Sequence, residues 1–97
     1  MSDFSFEWDE EKNRDNIEKH GIWFQEAEQV FDDEYMLYEQ DIKHSSNEER
    51  FKALGMSRIP RLLMVVHCMR EGLKVRIISA RKATKSEEVQ YESRRRI

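Results

Sequence analysis

The strongest constraint on this chain is the run RLLMVVHCMREGLKVRIISARK at residues 61–82, where two apolar segments flank Glu71 and Gly72. Segments of this kind joined by a turn dipeptide read as two extended strands of a hairpin. Residues 62–66 are apolar on both faces, as expected of a central strand with a layer on each side. In the second strand Leu73, Val75 and Ile77 point one way, while Lys74 and Arg76 point the other before giving way to Ile78 and Ala80. One face is therefore core and the other partly cationic. By strand parity Arg76 and Arg81 begin on opposite faces, so they share a site only if the strand ends or twists near residues 79–80.

The rest of the chain supplies what this hairpin packs against. Phe4 and Phe6 alternate with Ser5 and Glu7, the pattern of a short half-buried strand. Asp9 then offers an N-cap and Glu10 and Glu11 an acidic first turn, which predicts a helix over 10–20 that ends at Lys19, His20 and the C-capping Gly21. Its face of Asn13, Asn16, Ile17 and His20 has little apolar surface, so it needs a neighbour. Phe24, Ala27, Val30 and Phe31 predict a second, amphipathic helix of about eight residues. A short strand at 36–39, a polar loop at 41–47 and a strand within 48–56 follow, and Pro60 turns the chain. Thr84 and Glu87 have capping-box spacing, so a last helix begins at Lys85, thinly packed through Val89 and Tyr91 and expected to be loosely held. The order gives an α+β fold: an antiparallel sheet of about four to five strands, two N-terminal helices on one face, and a C-terminal helix.

Ninety-seven residues are expected to form one domain, 1–97, because so short a chain cannot divide its apolar residues between two cores. No apolar run is long enough to span a bilayer and the N-terminus lacks signal-peptide character, so a cytoplasmic location and no membrane partner are expected. The net charge of -3 hides a division. Residues 1–49 carry sixteen acidic and four basic side chains, and residues 50–97 four acidic and thirteen basic. This asymmetry fits a basic working face, or two halves that neutralise each other in the fold; the cationic strand favours the first.

Several chemistries are disfavoured by spacing. His20, His44, His67 and Cys68 form no chelating pair, and His67 and Cys68, adjacent in a strand, project to opposite faces, so neither metal nor cofactor is expected. Cys68 lies in an apolar run with nothing to lower its pKa, and three isolated glycines build no phosphate loop. Metal-free cleavage of RNA remains: the ribose 2'-hydroxyl attacks, and the protein orients the phosphate, moves protons and stabilises developing charge. Arg50, Arg76 and Arg81 are the arginines expected on or beside the sheet. Glu49, His20, His67, Lys19 and Lys82 are the proton-transfer candidates. Each also has a structural explanation: Lys19 and His20 complete a helix end, His67 fits a sheet interior, and Glu49 with Arg50 forms an edge ion pair. Lys52, Lys74 and Lys82 are expected RNA contacts.

The Lys19-His20-Gly21 helix end, Phe24, Glu26, Ala27, Val30, Phe31 and Asp32, the Glu49-Arg50 pair followed by Gly55, and the run from Arg76 through Ala83 with Glu87 and Tyr91 resemble the BrnT toxins of bacterial type II toxin-antitoxin systems. The resemblance covers nearly the whole chain, and its final run is the specific part. It implies a RelE-like fold and a metal-independent endoribonuclease that arrests translation. It also implies a BrnA-like antitoxin that neutralises the toxin and links it indirectly to operator DNA, with a dimer within that complex. By residue it assigns Glu49, Arg50, Arg76 and Arg81 to the active surface, with Lys19 and His20 beside them. A non-catalytic RNA-binding or protein-interaction module, such as a degenerate toxin acting in autorepression, is the competing reading. RNA-binding sheets usually display aromatic residues, and the strands after Phe51 have none.

Overall fold

The computed structural model describes residues 3–96. Strand β1 (Ser5–Glu7) leads into helix α1 (Glu10–His20) and helix α2 (Phe24–Ala27), which tightens into a 3₁₀ turn (Glu28–Asp32). Strand β2 (Leu37–Gln40) and a second 3₁₀ turn (Ile42–His44) precede strands β3 (Phe51–Met56), β4 (Leu62–Arg70) and β5 (Lys74–Lys82), and helix α3 (Lys85–Arg95) follows. The five strands lie in the order β1-β5-β4-β3-β2, which makes the doubly apolar β4 central. Four strands form an antiparallel sheet as expected; β1 differs, running parallel to β5 along one edge. The amphipathic segment at residue 24 is shorter as an α-helix than its periodicity predicts, its second half being the 3₁₀ turn. Among the described residues no helix is long and apolar enough to cross a membrane.

Local signals account for α1. The Asp9 carboxylate accepts from the Glu11 and Lys12 amides at 2.9 and 3.2 Å, and Gly21 closes the helix with φ 71° and a 2.9 Å bond to the Ile17 carbonyl. A side chain at Gly21 meets no steric obstacle, so its left-handed backbone is what calls for glycine. The polar face of α1 docks through amide chemistry instead of apolar contact. Asn13 accepts from the Phe24 amide at 2.7 Å and donates to Gln25. Asn16 accepts from the Ala80 amide at 3.1 Å and donates to the Ala80 and Ile22 carbonyls, each at 2.8 Å. Because β1 pairs β5 only at residues 74–76, Asn16 satisfies the edge that β1 leaves open.

Two cores sit on opposite sides of the sheet. On the helical face Ile22, Phe24, Ala27, Val30 and Phe31 pack against Ala53, Leu63, Val65, Val75, Ile77 and Ala80. On the other face Tyr91 of α3 packs on Leu54 and Met64, with Leu37, Met56, Leu62 and Ala83 around them. The last helix is thus more firmly held than its sequence suggests: Tyr91 is 2% exposed and donates to Asp33 at 2.5 Å. The same Asp33 oxygen accepts from the Met56 amide at 2.7 Å, so one carboxylate joins the 3₁₀ turn, β3 and α3. This approach is close enough to require glycine at residue 55, where a β-carbon would lie 2.8 Å from Val30 Cγ1.

The parity problem is resolved by a β-bulge. Val66 is opposite Ser79 and His67 opposite Ile77, leaving Ile78 of β5 without a partner. Ile77 and Ala80 consequently both enter the helical-face core, and Arg76 and Arg81 emerge on the same, opposite face.

Candidate active site

Helix α3 covers only one end of its face of the sheet. Beside it, the strand alternation turns Met64 and Val66 of β4 to this face, and the bulge adds Ile78 and Ser79 of β5, making the floor of a cleft. Arg50 and Lys52 from β3 and its entry, Arg81 from β5, and Asp41, Lys43 and His44 from the loop after β2 form its walls. Four cations and one carboxylate give this cleft a positive balance.

The cations differ in how they are held. Arg81 makes two bonds to Glu87, at 2.8 and 3.0 Å, while the same carboxylate accepts from the Thr84 amide in the α3 capping box. The Arg81 bond, ahead of the capping contacts, holds the Glu87 carboxyl below its usual range, and the Glu87 bond raises Arg81 in turn. Lys52 lies 3.5 Å from Glu39. Arg50 is half-buried and fixed through its backbone, its amide donating to Ser45 Oγ at 3.0 Å and its carbonyl accepting from the Asp41 amide at 2.7 Å. Its guanidinium makes no hydrogen bond or ion pair among the described residues. Such a group, which acts on Glu48 only electrostatically, is a rigidly based fork suited to a phosphate.

Arg76 and Lys74 stand further along the same face. Glu7 there meets Arg76 at 3.1 Å, with Arg70 and Lys74 each at 3.8 Å. Arg70 also bonds Glu48 at 2.5 Å, and Glu48 accepts from the Cys68 thiol at 2.9 Å. Burial, then this bond to Glu48, pushes the Cys68 thiol up to about 11, which makes it a poor nucleophile. Lys19 and His20 line a separate groove with Lys12, Asp15 and Asn16, and it meets the main cleft at Ile78 and Ser79, which line both.

Three other expected residues lie outside the cleft. Glu49 accepts from Gln40 at 3.3 Å on the exposed rim. Lys82 pairs across the ladder with Leu63 and acts electrostatically on Glu26. His67 is fully buried on the helical face, among Phe31, Tyr38 and Phe51 with ring centroids at 4.9, 5.5 and 6.0 Å. Its Nδ1 donates to the Val65 carbonyl at 3.3 Å, Nε2 has no partner, and burial lowers its pKa to about 4. It is scaffold, unable to reach the arginines.

The cleft also contains residues that periodicity passes over. Asp41 and His44 meet inside the polar loop, His44 Nδ1 lying 3.1 and 3.0 Å from the two Asp41 oxygens. Their only advance signal is the Asp-x-x-His spacing of DIKH, which one tight turn brings together.

A mixed sheet with helices on one face, and a cationic cleft left open by a terminal helix on the other, has the RelE-like plan. The model of the family described as "Ribonuclease toxin, BrnT, of type II toxin-antitoxin system" matches residues 8–87, and the chain belongs to that family. Membership makes it a toxin of the ribonuclease class and implies an antitoxin partner. The fold is similar to the crystal structure of the Brucella abortus ribonuclease toxin BrnT, with a TM-score of 0.62 and 23% identity over 84% of this chain and 99% of that one. No curated protein matches the chain in sequence.

Proposed function

We propose that this toxin cleaves RNA without a metal ion, in the cleft between Arg50, Lys52 and Arg81. The observation that carries this reading is the unpaired guanidinium of Arg50 beside the strand-held Arg81. Asp41, the only carboxylate lining the cleft among the described residues, is engaged by His44, a balance that favours a bound phosphate over a bound divalent cation. Arg81, held by Glu87, orients the phosphate; Arg50 takes up charge on its equatorial oxygens as the 2'-hydroxyl attacks in line. Arg76, Lys74 and Arg70 continue the positive face and give the flanking strand a track. The base for the attack comes from the cleft's own His44 or, beyond Ile78 and Ser79, from His20 or Lys19.

A cytoplasmic BrnA-like antitoxin with an acidic or amphipathic segment suits the open face, and covering it would silence the enzyme. Control of operator DNA would then pass through that antitoxin, in a complex that contains a toxin dimer. The decisive experiment incubates the purified chain with RNA in excess EDTA. Cleavage should persist, and Arg50→Ala should lower its rate by about 10²–10³-fold while leaving the circular dichroism spectrum unchanged. Activity that disappears with chelator sinks the metal-free mechanism. RNA binding with no cleavage points instead to a binding module.

A further inference from the structure

The cleft assigns one of its competing bases. Resting on the ribonuclease reading above, we propose that His44 is the catalytic base and that Asp41 is its positioning residue. The pair is asymmetric: the Asp41 side chain is 9% exposed and that of His44 61%. The carboxylate is therefore embedded in the fold and the imidazole faces outward from it. With both Asp41 oxygens at 3.0–3.1 Å from Nδ1, the neutral imidazole adopts the tautomer that donates from Nδ1 and leaves the lone pair on Nε2. His44 lines the same cleft as Arg50, Lys52 and Arg81, which supplies the phosphate-holding groups that a base alone lacks.

The backbone ties base and phosphate site into one unit. The Asp41 amide donates to the Arg50 carbonyl at 2.7 Å, and the Ser45 hydroxyl donates to the Asp41 carbonyl at 2.6 Å while accepting from the Arg50 amide. The His44 amide closes the turn on the Asp41 carbonyl at 3.2 Å. The loop over residues 41–50 thus ties together the backbone positions that carry imidazole and guanidinium, as a base and an oxyanion-stabilising group require. Glu49, turned toward Gln40, and His20, in the neighbouring groove, do not line the cleft that holds Arg50.

In the reaction, His44 Nε2 takes the proton of the ribose 2'-hydroxyl as the O2'–P bond forms and the P–O5' bond breaks. The departing 5'-oxygen takes a proton from water, and the hydroxide so formed recovers the proton from the imidazolium. The products are a 2',3'-cyclic phosphate and a 5'-hydroxyl, with the enzyme regenerated.

Single-turnover cleavage of an RNA oligonucleotide in EDTA, with and without free imidazole, tests the assignment. His44→Ala should lose about 10²–10⁴-fold in rate, keep its RNA affinity, and recover part of the loss with added imidazole. Asp41→Asn should slow the otherwise wild-type enzyme yet have no further effect in the His44→Ala background. A His44→Ala enzyme that cleaves at the wild-type rate, while Arg50→Ala is slowed, overturns the assignment and leaves the ribonuclease reading standing. Loss of activity that imidazole does not restore assigns His44 a structural part and also overturns it. Wild-type protein with no cleavage removes both.

Discussion

The two faces of the central sheet treat charge in opposite ways. On the helical side Glu26, only 7% exposed, accepts from Arg61 at 2.8 and 2.6 Å and from the Ser57 hydroxyl at 2.7 Å, and Arg61 also donates to the carbonyl of Gly21 at the end of α1. The Arg61 bond leads the effects that hold the Glu26 carboxyl below its usual range. On the other side the Arg50 guanidinium makes no hydrogen bond or ion pair among the described residues, and one carboxylate, Glu7, is shared among three cations. The cations of the second face come from β3, β4 and β5, whose alternation turns them away from the helical-face core. The charge closed at Glu26 contrasts with the Arg50 guanidinium, which under the proposed function receives the RNA phosphate.

The largest expected effect tests the open face. Arg50→Ala should reduce cleavage by about 10²–10³-fold with an unchanged melting temperature; a stability loss with normal turnover would erase the distinction between the faces. Next comes His67 on the covered face. Its folded pKa of about 4 lies below that of the unfolded histidine, about 6.5, so the unfolded chain binds the proton more readily. Its neutral-form stabilisation is present at neutral pH and is lost as pH falls from about 6.5 to 4, by up to about 3 kcal/mol. Urea titrations across that interval should show the decline, and His67→Leu should flatten it. Gly55→Ala should destabilise by about 1–3 kcal/mol, because neither the stiff Val30 side chain at 2.8 Å nor its carbonyl at 3.2 Å can swing aside. Thermal melting provides the check. Smallest, Arg61→Ala should cost about 1–2 kcal/mol, discounted for the exposure of its guanidinium, with cleavage per folded molecule intact. Lost turnover at full stability would place Arg61 in the functional machinery.

What could be read in advance follows the range of the forces involved. The ends of α1 and α3 are legible because Asp9, Gly21, Thr84 and Glu87 act within a turn of themselves. The hairpin of β4 and β5 is legible because burial on one or both faces imprints its period on the residues. The bulge at Ile78 has no such imprint: strand registers on both sides of it are set by different neighbours, and the surplus residue falls between them. Sequence parity therefore separates Arg76 from Arg81, although the fold returns them to one face. The anchoring of α3 depends on Asp33, distant in sequence from Tyr91, which is why Tyr91 alone looked like thin packing. Arg50, Lys52 and Arg81 are foreseeable as cations near a sheet, whereas Asp41 and His44 lie in a loop whose shape comes from Ser45 and the Arg50 backbone.

Asn16 has a consequence for how the molecule breathes. Its carboxamide holds the Ala80 N–H and C=O where a neighbouring strand is missing. In hydrogen-exchange measurements the Ala80 amide should be protected like that of an interior strand, since solvent reaches it only when α1 lifts away. Exchange at Ala80 would thus report the lifting of the first helix from a strand that β4 still holds.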